Sequence, residues 1–219
     1  MNHSEIINQT ISYVKSTLQG AEGGHDWFHI ERVWKNAKLI AKSENVDLFI
    51  VELGALLHDI ADAKFYEGDE NIGPAKAKEF LQHLKIDTSI IDHIVSIIEN
   101  ISFKNSLESG AKKFHSKELD VIQDADRLDA IGAIGIARTF NYGGFKNREL
   151  YNPDVKPDLN LSKEAYKKSN APTINHFYEK LLLLKDKMNT KTGRKIAIKR
   201  HAFTEQYLEQ FFMEWDGKA

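Results

Sequence analysis

The chain contains no cysteine, which excludes disulfides, thiolate metal sites and cysteine nucleophiles and makes a reducing cytoplasm the expected compartment. It also lacks long apolar runs: no stretch approaches the ~18 uninterrupted apolar residues of a membrane span, so no membrane partner is expected. The first residues do not show the basic, apolar and small-residue succession of a signal peptide. Neither sign of charge is in excess. With 30 Lys and Arg against 32 Asp and Glu, the net charge of −2 gives no global attraction to DNA or RNA, and long nucleic acid is not an expected partner. Internal repeats, low-complexity tracts and a convincing strand pair are missing as well. What remains is a 219-residue chain, 42% hydrophobic and 28% charged, an ordinary composition for one well-buried globular domain.

The periodicity is helical almost throughout, so the expected fold class is all-α, a single-domain helical bundle over 1–219. Residues 26–43 carry Ile30, Val33, Trp34, Ala37, Ile40 and Ala41 at the spacing of a one-sided helix, with Asp26 as its N-cap. Residues 47–61 are apolar nearly all round, which places that helix at the centre of a bundle. Amphipathic runs follow at 74–85, 88–101 and 116–140. Near Asn141 the pattern stops, and 141–162, with Gly143, Gly144, Pro153 and Pro157, reads as a long loop. That loop, carrying Tyr142, Lys146 and Arg148, reads equally as a lid, a base-stacking wall or variable surface. Helical pattern returns at 173–189 and, after a turn at Thr192–Gly193, at 194–215; these two should form a C-terminal helical hairpin over 173–215.

Three places carry residues suited to holding a cation. His29 sits at the edge of its helix's apolar stripe, where it is either a surface residue or a group leaning into a cleft. His58 and Asp59 interrupt an otherwise apolar helix. Such groups are seldom buried unless paired or metal-bound, although the pair could also emerge into solvent at the helix end. Asp62, one turn on, could orient or deprotonate a water. The segment 124–130 offers Asp124, Asp126 and Asp129, and spacing does not choose among them; Asp129 falls inside the stripe and so needs a partner. Two imidazoles and two carboxylates would suit several first-row metals.

The order His, then His-Asp, then Asp over helical sequence resembles the HD-domain metal-dependent phosphohydrolases. HDWFHIERVWKNA looks like the first ligand helix of that superfamily, with His29 as ligand and Arg32 in its usual place. ALLHDIADAKF looks like the doublet helix and carries over to His58 and Asp59, while DADRLDAIGAIGIARTF looks like the last motif, in which the aspartate directly before arginine, Asp126, is the ligand. With the ISFK stretch at 101–104, the resemblance points to the small bacterial YpgQ/YedJ type over about residues 20–215, with the metal-site core at about 20–140. His25–Asp26 is a second His-Asp pair, but it precedes His29 at a helix start, where Asp26 has capping work to do.

The resemblance implies hydrolysis of a phosphate ester or anhydride, with a divalent cation held by His29, His58, Asp59 and Asp126; Mn²⁺ is the first choice, and Mg²⁺, Co²⁺, Fe²⁺, Ni²⁺ and Zn²⁺ are compatible. Asp59 and Asp62 are the expected catalytic carboxylates. Asp62 stands where relatives often have a glutamate, one methylene longer. His83, His93 and His115 lack the adjacent-histidine pattern of two-metal members, so one metal is expected. Arg32, Lys64, Lys104 and Arg127 flank the motifs as phosphate donors; for each the alternative is a solvated helix charge. The expected substrate is a small phosphorylated molecule, a nucleotide, cleaved in the manner of a nucleoside triphosphate pyrophosphohydrolase or a nucleotidase. A phosphodiesterase acting on cyclic or short oligonucleotides and a non-catalytic nucleotide-binding scaffold are the alternatives, and a homodimer is compatible with either.

Overall fold

The computed structural model describes residues 1–21, 26–61, 69, 71–101, 114–159 and 169–218. Among them every regular element is helical, so the protein is all-α. In chain order these are α1 (His3–Thr17), α2 (Trp27–Ala41), α3 (Leu48–Leu57), α4 (Ile72–His83), α5 (Thr88–Asn100), α6 (Lys117–Asp129), α7 (Gly132–Phe145), α8 (Asn175–Glu179), a 3-10 helix (Leu181–Lys187) and α9 (Lys191–Trp215). No described helix is long and apolar enough to cross a membrane. The chain divides into two compact units, Met1–Asp126 and Arg127–Ala219.

In the first unit α3 is the central element, packed against α1, α2 and α5. Eight of its ten residues are buried, from Phe49 to Leu57, as its all-round apolar sequence requires. Asp47 caps it by accepting hydrogen bonds from the Phe49 and Ile50 amides. Gly54 lets α6 approach closely: a Cβ there would lie 2.6 Å from Ile122 Cδ1. The helix stops at Leu57, short of the expected 61, and His58 and Asp59 form the turn that follows. Ile60 beyond the turn is still buried, so the apolar signal outlasts the helix. Helix α1 has no counterpart in the sequence reading. Its buried face is Ile6, Ile7, Thr10 and Val14, and Thr10 fits because its hydroxyl donates to the Ile6 carbonyl at 2.8 Å.

From residue 116 onwards four expectations are corrected. The run 116–140 is two helices, since the chain turns at Gly132, which has φ +75 and donates its amide to Thr204 Oγ1. The supposed loop begins later: α7 runs on through Tyr142, Gly143 and Gly144 to Phe145, and 149–150 then bond to 173–174 through the Thr173 and Ile174 amides. The C-terminal hairpin is not two regular helices. Its first arm is the five-residue α8 followed by the 3-10 helix, which buries Leu181 and Leu184 at the three-residue spacing of that geometry. Gly193 is not a turn; it lies in the first turn of α9, donating its amide to the capping Thr190 hydroxyl. Helix α9 packs on α7 and on the 3-10 helix.

Candidate metal centre

His29 occupies the third position of α2 and is 2% exposed. Asp26 caps that helix by accepting the His29 amide at 3.0 Å, so its carboxylate fixes the backbone carrying His29. The second His-Asp pair of the sequence thus includes a helix cap; His25 lies outside the described residues. His58 is buried at the end of α3, which discards the reading in which it emerges into solvent. Its Nδ1 lies 2.9 Å from the Ala55 carbonyl. A carbonyl only accepts, so Nδ1 carries the proton and the Nε2 lone pair is left for a cation.

Helix α6 brings the third group. Asp126 Oδ1 lies 3.5 Å from His29 Nε2 and 4.0 Å from His58 Nε2, with its side chain 42% exposed. One ligand atom from each of the three lies within 4.8 Å of the others, a group that could hold a metal ion. The two imidazoles meet edge to face, with centroids 5.3 Å apart, so their nitrogens aim at common space rather than stacking. Two imidazole nitrogens and one carboxylate oxygen are a fitting donor set for a first-row divalent cation.

The other acids of α6 are engaged differently. Asp129 is 1% exposed and accepts from Arg138 Nη1 at 2.7 Å, the partner its place in the stripe demanded. Asp124 is fully buried. Asp59, half-buried beside His58, is not in the close group of three. Arg32 is half-buried on α2, and Arg127 directs Nη1 to the Lys187 carbonyl, which leaves fewer of its donors for a phosphate. Asp62, Lys64 and Lys104 lie outside the described residues. Sequence reasoning missed the Ala55 carbonyl, which as a backbone group has no sequence signal.

The family model described as HD domain matches residues 27–131, the stretch from the start of α2 past the end of α6. The Bacillus subtilis protein YpgQ is 38% identical over 217 residues, covering 99% of this chain and 97% of YpgQ. The crystal structure of an HD-superfamily hydrolase from Bacillus thuringiensis matches with a TM-score of 0.78 at 41% identity, covering 98% of this chain and 99% of that one. The structure of YpgQ in complex with ADP matches with a TM-score of 0.76 at 36% identity, covering 98% and 97%. The chain belongs to the HD superfamily of metal-dependent phosphohydrolases, in its small YpgQ-like group.

Proposed function

We propose that the protein hydrolyses a phosphate ester or anhydride bond of a nucleotide, using one divalent cation held by His29, His58 and Asp126 with Asp59 as a fourth ligand. The observation that carries the metal centre is the convergence of His29, His58 and Asp126 ligand atoms within 4.8 Å. The nucleotide is supported by the ADP bound to YpgQ, a relative matched over nearly its whole length. A divalent cation in such a site supplies charge neutralisation at phosphate oxygens and acidifies water, with Mn²⁺ the first ion to test.

The chain's own groups have separate tasks in this reading. The Ala55 carbonyl holds His58 in the tautomer that presents Nε2, and Asp26 holds the turn that presents His29. Asp126, the most exposed of the three, stands on the solvent side, where a substrate enters. Asp62 takes the proton of the attacking water as its oxygen bonds to phosphorus and the leaving oxygen departs; Asp59 is the alternative acceptor. Arg32, Lys64, Lys104 and Arg127 supply donors to the phosphate oxygens, arginine as a fork and lysine as a point charge. Phosphate ester hydrolysis is among the slowest uncatalysed reactions, so neutralised charge and a positioned water are the contributions that count.

The decisive experiment combines elemental analysis with a release assay over a nucleotide panel in Mn²⁺, Co²⁺, Mg²⁺ and Zn²⁺. Bound metal with phosphate or pyrophosphate released supports the reading. Metal and nucleotide both bound, with nothing released, would make the protein a scaffold instead. Asp62→Ala should lower turnover with metal content unchanged; normal turnover in that variant removes Asp62 from the mechanism.

A further inference from the structure

A pocket of about 320 Å³ lies within the second unit, at the small end of the range that takes ligands. Three rings line it: Tyr151 from the segment after α7, Tyr178 from α8 and Phe212 from α9. Tyr151 meets Phe212 and Trp215 edge to face, with ring centroids 5.2 Å and 5.0 Å away. Pro153 and Pro157 stiffen the wall between. That wall is tied down twice. The Ile174 amide donates to the Leu150 carbonyl at 3.0 Å, and Asn175 Nδ2 donates to the Val155 carbonyl at 3.0 Å. A pocket held in this way loses little freedom when it is filled.

Its polar groups are few and unspent. Asn175 lines the pocket and is 1% exposed. Its Nδ2 is committed to Val155, so the amide cannot turn over, and Oδ1 is left as a buried acceptor with no hydrogen-bond partner. Such an orphan is costly and calls for a donor. Oδ1 is closed to solvent, so a ligand's donor reaches it as neighbouring side chains change rotamer, a common adjustment on binding. Among the described residues, no hydrogen bond or ion pair engages the exposed Lys156 ammonium or the hydroxyls of Tyr151 and Tyr178. Burial first, and the neighbouring Tyr151 next, raise the Tyr178 phenol above its ordinary value, so it stays an O–H donor at neutral pH.

We propose that this pocket binds a small molecule made of one flat N–H-bearing ring system and a single anionic group. A purine nucleoside monophosphate and an indole carboxylic acid share that chemistry. The ring system lies among Tyr151, Tyr178 and Phe212, where stacking tolerates many ring identities. Its N–H donates to Asn175 Oδ1, and its anion pairs with Lys156, a point charge suited to one anionic group. None of these residues belongs to the metal centre, so the site does not depend on the proposed hydrolysis.

Calorimetric titration of the full-length protein with AMP and with indoleacetate, each in the presence of a chelator, tests this. One saturable site should appear for at least one probe and persist in His58→Ala. The probe's N-methylated counterpart, which lacks that N–H, should bind roughly tenfold more weakly because the buried acceptor stays unpaired. That comparison leaves the protein untouched. Lys156→Gln, at an exposed residue, should weaken the anionic probe several-fold and leave neutral adenosine or indole unaffected. Tyr178→Ala should weaken charged and neutral probes alike, roughly tenfold. Binding of AMP alone assigns the site to a nucleotide, and of indoleacetate alone to an aromatic acid. No saturable binding of either at millimolar concentration overturns the proposal. So does binding lost in His58→Ala, or an affinity indifferent to N-methylation or to Lys156→Gln.

Discussion

His58 is a buried imidazole and His176 a half-buried one, and the charges described beside them have opposite sign. At His58 the Asp126 carboxylate lies 4.0 Å from Nε2, and the Ala55 carbonyl accepts the Nδ1 proton. At His176 the described charges that act on the ring are Lys180 and Arg148. The first places a carboxylate beside the ring; in the second, burial and two nearby cations disfavour the protonated ring. The residue type alone therefore says nothing of what a histidine binds; the sign of what the fold places beside it does.

The strongest way to break this contrast is to remove the first imidazole. His58→Ala should leave the protein without stoichiometric metal and cut turnover by more than ~100-fold, beyond what loss of a mere supporting group costs. Elemental analysis and a release assay read both, and turnover that survives in the metal-stripped variant ends the metal mechanism. Next comes the contrast of two acids on α6. Asp129→Ala strips Arg138 of a buried partner and should cost about 3 kcal/mol by denaturant unfolding. Asp126→Ala, at an exposed side chain, should change stability by under about 0.5 kcal/mol while metal is lost. Equal stability losses would mean that both acids are structural.

Acid should reveal His176. Its imidazole is held below the ordinary 6.5, at about 3, so the unfolded chain binds more protons between those values. Its contribution is complete above pH 6.5 and is lost progressively as pH falls towards 3. His176→Gln should flatten that limb of the melting-temperature profile; an unchanged limb assigns acid lability to other groups. The smallest effect should come from Asp26→Ala, which removes a helix cap worth about 1 kcal/mol and weakens metal affinity through a looser His29 turn. If affinity stays constant while stability drops, the cap serves the helix only.

Much of this was legible beforehand, for identifiable reasons. Helix α3 announces itself because Glu52 alone interrupts its apolar run before His58, and α2 because its stripe and the Asp26 cap coincide. Helix α1 escaped notice because Thr10, polar on paper, completes its buried face by bonding to its own backbone. The break at Gly132 escaped because glycine within an apolar stripe looks like helix until a positive φ is required of it. The four leucines at 181–184 suggest continuous helix, yet only Leu181 and Leu184 are buried, and the backbone tightens to put them on one side.

Residue order was enough to establish an all-helical protein and the imidazole and carboxylate types of the metal motif, since periodicity and the cost of burying charge act locally along the chain. It could not tell Asp126 from Asp124 and Asp129 by spacing, nor reveal that His176 faces cations. Those outcomes rest on atoms distant in sequence, brought within a few ångströms of one another by packing, where Coulombic and hydrogen-bonding terms become large enough to assign each group its role.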